Sequence, residues 1–192
     1  MSQGRNHPNP ARRSERSHQA ILSAAADLLA ENGWSKLTVE GIASRAGVGK
    51  QTIYRWWPDK GAVVLDAYLA LVSADGELAF PDTGDLTADL GQVMHTMADQ
   101  LAEPAFEARY RALLSAIQDD TVLASALHDQ LLRPWLDATA ARFRAASITV
   151  DPFAAAELLY GPVYYRWLLR TGPVTAGYVD EVVAAVVRAV TC

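Results

Sequence analysis

Apolar residues recur at steps of three and four along most of this chain, which is the spacing that places them on one face of an α-helix. The first such stretch begins at Ser14 and ends at Gly33, a residue suited to a left-handed helix C-cap. Its apolar positions are Ile21, Ala25, Leu28 and Leu29. We therefore predict a first amphipathic helix that packs on a core through these residues.

Capping residues divide the next part of the chain into three more helices. Thr38 is a good N-cap residue and predicts a second helix that runs to Gly47. A third helix is predicted over residues 50–57, because Pro58 disfavours helical backbone at the residue before it. Asp59 is expected to cap a longer, apolar fourth helix.

The remainder of the chain keeps the helical period and has no convincing alternating strand pattern. Pro134 marks a site where a helix would kink. Helical segments are predicted at residues 86–101, 103–117, 122–146, 153–170 and 177–190. The pattern predicts an all-α protein of about nine helices, in which a short N-terminal module precedes a larger helical bundle.

Charge divides the chain more sharply than its formal net value of -5 suggests. Residues 1–60 carry nine Lys and Arg against five acids, whereas the remainder carries eight against seventeen. Such a split favours a basic end that meets a polyanion and an acidic body that is repelled by it. The alternative at this point is an ordinary uneven surface.

Composition narrows the setting in which the protein works. The single cysteine, Cys192, excludes a disulfide framework or a multi-cysteine zinc site within one chain. The N-terminal residues lack the apolar region of a signal peptide, and no later segment has the length of a membrane span. We therefore expect a cytoplasmic protein with no membrane partner.

The stretch "GVGKQTIYRWWPDK" at residues 47–60 allows two unrelated interpretations, a phosphate-binding loop and a helix-turn-helix. A phosphate-binding Walker A loop needs a lysine followed at once by a hydroxyl residue, and a glycine five positions before the second glycine. Here Gln51 follows Lys50, and Ser44 stands five positions before Gly49. The segment before the loop also has a helical period instead of that of a strand. The sequence thus fails the nucleotide-loop requirements.

A helix-turn-helix explains more of these residues. Two short helices that pack near a right angle need a small residue at their closest approach, a turn residue tolerant of positive φ, and apolar inner faces. Ala43, Gly47, Val48 and Ile53 supply these features. The helix that starts near Lys50 then has its outer face available for the major groove of DNA.

The outer face carries residue types that suit DNA. Lys50 and Gln51 lie in the first turn, where they can reach guanine and adenine edges, and Thr52 and Tyr54 offer hydroxyls to phosphates. Lys60, beside the start of the fourth helix, is expected to share one phosphate with that helix terminus. For Trp57 we expect packing against the first helix. The predicted DNA-binding residues are Thr38, Lys50, Gln51, Thr52, Tyr54, Arg55, Trp56 and Lys60.

At this point the sequence resembles the TetR family of bacterial transcription regulators. The resemblance is carried by "ILSAAADLLAENGWSKLTVEGIASRAGVGKQTIYRWWPDKGAVVLDAYL", with "TIYRWWPDK" its most specific part. For the positions that match, the family implies base or phosphate contacts at the third helix, and phosphate contacts at Thr38 and Lys60. The sequence departs from the family at Trp56-Trp57, where His or Arg followed by Phe is commoner.

The C-terminal segments "LLYGPVYYRWLLRTGPV" and "YVDEVVAAVVRAV" are similar to a regulatory domain of part of this family. The family implies a homodimer in which the last two helices pair with their symmetry mates and place two recognition helices on a palindromic operator. The apolar residues of these two helices agree with such an interface. The predicted interface residues are Tyr165, Trp167, Val179, Val183, Val186 and Val187.

A regulatory domain of this type would bind a small apolar or amphipathic effector among its middle helices. The candidate liners are Met94, Met97, Phe106, Tyr110, Trp135 and Tyr164, each of which also suits an ordinary core. His95 with Asp99, and His128 with Asp129, are poor evidence for a metal because neither pair has a third ligand. No cofactor is predicted.

These observations lead to an expected organisation and function. We predict a flexible basic arm at residues 1–13, a helix-turn-helix DNA-binding domain at 14–60, and a ligand-binding and dimerisation domain at 61–192. The expected function is a dimeric repressor of transcription that an effector releases by changing the angle of the fourth helix. An activator or ligand-independent regulator is the alternative, and an enzyme that uses the apolar cavity is less favoured, because no catalytic constellation stands at an interpretable spacing.

Overall fold

The structure, a computed structural model, describes residues 10–73 and 80–191. These residues contain helices and connections but no strand, as predicted. The helices are α1 (Pro10–Asn32), α2 (Val39–Ala46), α3 (Lys50–Tyr54), α4 (Lys60–Ser73), α5 (Leu86–Ala102), α6 (Pro104–Asp119), α7 (Thr121–Leu127), α8 (Arg133–Ala145), α9 (Pro152–Leu168) and α10 (Ala176–Thr191). A π-helical turn at His128–Leu132 joins α7 to α8 without a break, so the described chain forms nine helical rods.

The chain forms two compact units. Among the described residues, the first unit comprises residues 10–73 and 112–124, and the second comprises residues 80–111 and 125–191. In the first unit α1 packs on α2 and α4, and α2 packs on α3. Most of the predicted apolar positions lie in its core, although Leu28 is half-buried. Its fully buried side chains include Ile21, Ala25, Ile42, Ile53 and Val63.

Two helix boundaries in the first unit differ from the prediction. Helix α1 begins at Pro10, four residues before Ser14, because proline is well accepted in the first turn of a helix. The predicted flexible arm therefore overlaps α1 at residues 10–13, and residues 1–9 lie outside the described part of the chain. Gly33 ends α1 with φ 75° and ψ 172°, which is an extended backbone with positive φ and not the predicted left-handed cap.

Helix α3 ends at Tyr54, three residues earlier than predicted. The backbone N–H groups of Trp56 and Trp57 both turn to the carbonyl oxygen of Ile53, at 2.9 and 3.0 Å. The chain thus tightens into a turn before it reaches Pro58. The predicted Asp59 cap is present, since Asp59 Oδ1 accepts from the N–H of Ala62 at 2.9 Å.

In the second unit α10 packs on α5 and α9, and α8 packs on α9. A buried ion pair joins two of its helices, since Arg142 Nε on α8 donates to Asp89 Oδ2 on α5 at 2.7 Å. Asp89 also accepts from the N–H and hydroxyl groups of Thr83. Burial raises the pKa of Asp89, but these hydrogen bonds and the guanidinium charge outweigh it and leave the pKa lowered.

The site of the predicted kink at Pro134 is occupied by the π-helical turn that ends just before it. The N–H of Arg133 reaches back five residues to the carbonyl oxygen of His128, which widens this turn. No helix in residues 10–73 or 80–191 combines the length and apolar character that crossing a membrane requires.

Candidate functional site

The start of α2 is fixed by Thr38. Its Oγ1 accepts from the N–H of Gly41 at 3.0 Å, while the residue stays exposed. A hydroxyl that accepts one hydrogen bond still has its own hydrogen to donate. The capping role is therefore compatible with the predicted phosphate contact, which stays a prediction.

The turn between α2 and α3 has the geometry that its sequence predicts. Gly47 adopts φ 66° and ψ 33°, the left-handed conformation, and its N–H bonds to the carbonyl oxygens of Ala43 and Ser44. The N–H of Val48 also bonds to Ala43, at 3.0 Å. Ile53 is fully buried behind the turn. A small residue, a left-handed glycine and an apolar anchor thus hold α3 against α2 as a helix-turn-helix.

The outer face of α3 is open to solvent. Lys50, Gln51 and Arg55 are exposed, and Thr52 is half-buried. Tyr54 exposes 53% of its surface, although large aromatic side chains are usually well buried. Helix α3 and the following Arg55 present two cations, an amide and an exposed phenol to solvent, which is the composition of a surface that binds a polyanion.

An ion pair that sequence reasoning missed lies on this face. Lys50 Nζ stands 2.8 Å from Glu40 Oε1, and both side chains are more than half exposed. The hydrogen bond and the opposite charge raise the pKa of Lys50 and lower that of Glu40, so both groups stay charged. An incoming phosphate or base must therefore compete with Glu40 for the ammonium group.

A second unpredicted pair fixes α2 on α1. Arg45 makes a two-pronged contact with Glu31, with Nη1 to Oε1 at 3.0 Å and Nη2 to Oε2 at 2.8 Å. Parallel hydrogen bonds of this kind restrict the relative orientation of the two partners. Arg45 therefore serves to position α2 on α1.

The two adjacent tryptophans have different environments. Trp57 is 5% exposed and donates from Nε1 to Asp66 at 3.0 Å. Its ring centroid lies 4.8 Å from that of His18 on α1, which confirms the prediction that it packs against the first helix. Trp56 is half-buried and lies edge-on to His18, with ring centroids 5.2 Å apart. The guanidinium of Arg55 lies 4.9 Å from the Trp56 ring centroid. Trp56 thus belongs partly to a packed aromatic group, and its predicted DNA contact concerns only its exposed part.

The ammonium group of Lys60 already has partners within the protein. Its Nζ donates to the carbonyl oxygens of Trp34 and Leu37, at 3.0 and 3.1 Å. It also lies 4.0 Å from the centroid of the Trp34 ring. Two of its three N–H groups thus hold the connection between α1 and α2. A phosphate contact by Lys60 has to use the third.

The sequence of this helix-turn-helix matches a known protein family. Residues 21–67 match the family described as "Bacterial regulatory proteins, tetR family", and residues 80–186 match "Tetracyclin repressor-like, C-terminal domain". The chain belongs to the TetR family. It is a helix-turn-helix regulator of transcription.

Individual TetR-family relatives cover most of the chain. YdeS of Bacillus subtilis (strain 168), an HTH-type transcriptional regulator, is 34% identical over 183 residues, which are 89% of this chain and 88% of YdeS. The DNA-binding transcriptional repressor TetR of Mycobacteroides abscessus is 30% identical over 124 residues, 65% of this chain and 64% of that protein. The crystal structure of the TetR family transcription regulator SCO0332 is 33% identical, with a TM-score of 0.69 over 91% of this chain and 98% of that one.

Three of the six predicted effector residues of this TetR-family chain lie together in one aromatic cluster. Phe106, Tyr110 and Tyr164 form an aromatic cluster with Trp167, in which the Tyr110 and Tyr164 hydroxyls lie 2.7 Å apart. Burial, followed by the neighbouring Tyr110, raises the pKa of Tyr164 well above its ordinary value. The Tyr164 phenol therefore stays neutral near pH 7.

The other three predicted liners, Trp135, Met94 and Met97, also belong to the second unit. Trp135 contacts Tyr160, with ring centroids 6.1 Å apart, and the Tyr160 hydroxyl lies 2.7 Å from Thr139 Oγ1. Burial raises the pKa of Tyr160 to about 12. Met94 and Met97 are buried on α5. The structure thus brings together three of the six predicted residues and adds Trp167 to them.

Of the two histidine pairs considered for a metal, His128 contacts its sequence neighbour, with Nδ1 2.9 Å from Asp129 Oδ1. His95 contacts Asp180 on α10, with Nε2 2.8 Å from Asp180 Oδ1. Among the described residues, no group of three or more His, Cys, Asp or Glu side chains has the geometry to hold a metal ion.

Most of the residues predicted for the dimer interface pack against other helices of the same chain. Val179, Val183 and Val186 are at most 5% exposed, because α10 packs on α5 and α9. Trp167 is also buried, and Val187 is half-buried. Tyr165 is exposed, in agreement with a surface role. The large apolar residues that α9 leaves exposed are Leu158, Tyr165 and Leu168, followed by Leu169 just after the helix.

Proposed function

We propose that the protein is a homodimeric repressor that binds a palindromic operator in double-stranded DNA and is released by a small-molecule effector. The observation that carries the DNA-binding part is the exposed outer face of α3 behind a well-formed helix-turn-helix turn. The relative in Mycobacteroides abscessus is named as a repressor, which supports that direction of regulation. The cytoplasm, where bacterial DNA lies, is then the place of action.

Lys50 and Gln51 are proposed to contact base edges, because they lie in the first turn of α3 and are exposed. Thr38, Thr52, Tyr54 and Arg55 are proposed to contact phosphates and to set the position of the helix. Trp56 contributes its exposed edge. Lys60 is assigned a positioning role for the α1–α2 connection, with a phosphate contact through its third N–H.

The proposed dimer surface is the exposed apolar side of α9. Leu158, Tyr165 and Leu168 are separated by steps of seven and three, which places them on one face of the helix, and each exposes at least 46% of its surface. Monomeric proteins rarely leave such a row uncovered. TetR-family regulators bind DNA as dimers, so a second copy of this face is the proposed occupant. Isologous pairing would supply two recognition helices for successive major grooves, about 34 Å apart.

Effector release requires two states of the dimer with different affinities for DNA. A ligand shifts their populations only by its own difference in affinity for the two. The aromatic cluster around Tyr110 and Tyr164 is the proposed location, because it combines apolar rings with a few polar groups. An activator or a ligand-independent regulator would use the same α3 face. The family consists of transcriptional regulators, and we propose no enzymatic activity.

The proposal is tested by selection of bound duplexes from a random pool, combined with light scattering on the purified protein. A dimer mass and an enriched palindrome with half-sites about one helical turn apart are expected. A monomer mass, or enrichment of a single half-site alone, would contradict the homodimeric mode of binding.

A further inference from the structure

The aromatic cluster of the second unit contains a polar group without a partner. Trp167 is 7% exposed, and its indole Nε1 has no hydrogen-bond partner among the described residues. Buried polar groups in folded proteins are nearly always hydrogen-bonded, and each exception requires a physical reason. An indole N–H can only donate, so the group that would satisfy it has to be an acceptor.

The groups around this indole define the chemistry of that acceptor. The Tyr110 ring stacks on Trp167, with centroids 5.5 Å apart and an interplanar angle of 24°. The Tyr164 ring meets the indole edge-on at 6.4 Å. These rings provide apolar, aromatic surface on two sides. The hydroxyls of Tyr110 and Tyr164 bond to each other at 2.7 Å, so one of them is already used as the acceptor for the other.

The cation that contacts the Trp167 ring is already paired. The Arg111 guanidinium lies 4.0 Å from the Trp167 ring centroid, and its Nε donates to Glu107 at 2.8 Å. Its two terminal nitrogens donate to the backbone carbonyl oxygens of Trp167 and Leu168. The carboxylate of Glu107 offsets the charge of this guanidinium, so the pair offers no free charge to a charged ligand. A neutral ligand requires no such charge.

We propose that this cluster is the effector subsite and that it takes a neutral aromatic molecule whose carbonyl oxygen accepts from Trp167 Nε1. The inference rests on the proposed function as an effector-released regulator and names the ligand class for it. Tyr164 is half-buried, so the cluster reaches solvent at this residue. The raised pKa of Tyr164 agrees with a neutral environment, since an ionised phenol would be disfavoured there.

The probes for the test are two aryl ketones and the hydrocarbons that match them in shape. Acetophenone is compared with ethylbenzene, and benzophenone with diphenylmethane, by calorimetry on the full-length protein. One net hydrogen bond corresponds to about tenfold in affinity, so each ketone should bind about tenfold more tightly than its hydrocarbon. Equal binding within each pair, or no binding of either ketone at millimolar concentration, would overturn the proposal.

Two variants locate the effect. Trp167→Phe retains an aromatic ring but removes the N–H. This variant should bind each ketone and its matched hydrocarbon with about equal affinity. Trp135→Phe is the matched control, because Trp135 contacts Tyr160 in the second aromatic group of the same unit, and it should keep the preference. A preference that survives Trp167→Phe would overturn the assignment.

A spectroscopic measurement keeps the proposal testable if Trp167→Phe does not fold. In protein labelled with ¹⁵N at its five tryptophans, the other four Trp→Phe variants assign the Trp167 indole signal by elimination. Acetophenone should move the Trp167 N–H proton signal downfield, whereas ethylbenzene should not. Shifts confined to other indoles would overturn the proposal.

Operator affinity is measured separately with and without the ketone. Weaker operator binding in its presence supports both the subsite and effector release. A ketone that shifts the Trp167 signal but leaves operator affinity unchanged supports the subsite and contradicts the proposed release. The two inferences can therefore fail independently.

Discussion

Replacement of Lys60 by methionine separates the two roles that the structure leaves for this lysine. Lys60→Met keeps an unbranched apolar stem but removes the ammonium that donates to Trp34 O and Leu37 O at 3.0 and 3.1 Å. A hydrogen bond from a charged group contributes about 1.5–3 kcal/mol, and partial exposure of Lys60 places the two together near the low end of their sum. We expect the free energy of unfolding to fall by about 3 kcal/mol.

Loss of the hydrogen bond to Leu37 should also weaken the positioning of the DNA-binding surface, because Leu37 directly precedes Thr38, the N-cap of α2. If Lys60 additionally contacts a phosphate, the slope of log affinity against log salt should fall by about 0.9. Lys36→Met is the matched control, since it removes one exposed positive charge at the end of the same turn. It should leave the unfolding free energy within about 0.5 kcal/mol of wild type.

Urea unfolding and fluorescence anisotropy with a labelled operator at several salt concentrations supply both quantities. A Lys60→Met protein as stable as wild type would refute the positioning role. An unchanged salt slope in a folded variant would refute the phosphate contact. Loss of stability together with an unchanged slope would assign Lys60 to positioning alone.

Three further changes test other parts of the account. Glu40→Gln removes the carboxylate that competes for Lys50, so operator affinity should rise about two- to fivefold, and an unchanged anisotropy titration would contradict the competition. Because the pKa of Asp89 is lowered in the folded protein, this carboxylate contributes stability above pH 3.8, its ordinary pKa, and that stability is lost as the pH falls through the folded-state pKa. The melting temperature of wild type should therefore approach that of Asp89→Asn below about pH 4. A constant difference between the two melting temperatures down to about pH 2.5 would refute this. Leu168→Glu on the exposed face of α9 should yield monomers in light scattering, whereas Val122→Glu, at a residue 73% exposed on α7, should not; two identical masses would count against that face.

Local sequence patterns were sufficient to predict the helix-turn-helix. The left-handed Gly47, the Thr38 cap and the buried Ile53 each depend on backbone preferences or on apolar spacing within a few residues. Trp57 was placed correctly because a large aromatic ring next to a capping turn is usually buried. These are properties of a short segment, so the sequence contains them directly.

Contacts between distant residues could not be read in the same way. Lys60 meets carbonyl oxygens 23 and 26 residues earlier, and Arg142 meets a carboxylate 53 residues earlier. Neither spacing produces a periodic signal. The Lys50–Glu40 pair spans only ten residues, but it depends on the angle between α2 and α3, which the turn sets in three dimensions.

The last two helices illustrate a further limit. An apolar stripe is the same whether it packs on its own chain or on a second copy. The stripe of Val179, Val183 and Val186 packs within the chain, and the exposed apolar residues are on α9 instead. Trp167 was assigned to the dimer surface for the same reason, although its ring lies in the cluster with Tyr110.

The most direct test of the central claim is selection of bound sequences from a random duplex pool by wild type and by Gln51→Ala in parallel. If the exposed face of α3 reads bases, wild type should enrich a palindrome, and Gln51→Ala should lose preference at one position of each half-site while the remaining positions persist. The same palindrome with the same preferences from both proteins would contradict base reading by Gln51, and no enrichment by folded wild type at low salt would contradict sequence-specific binding by this face.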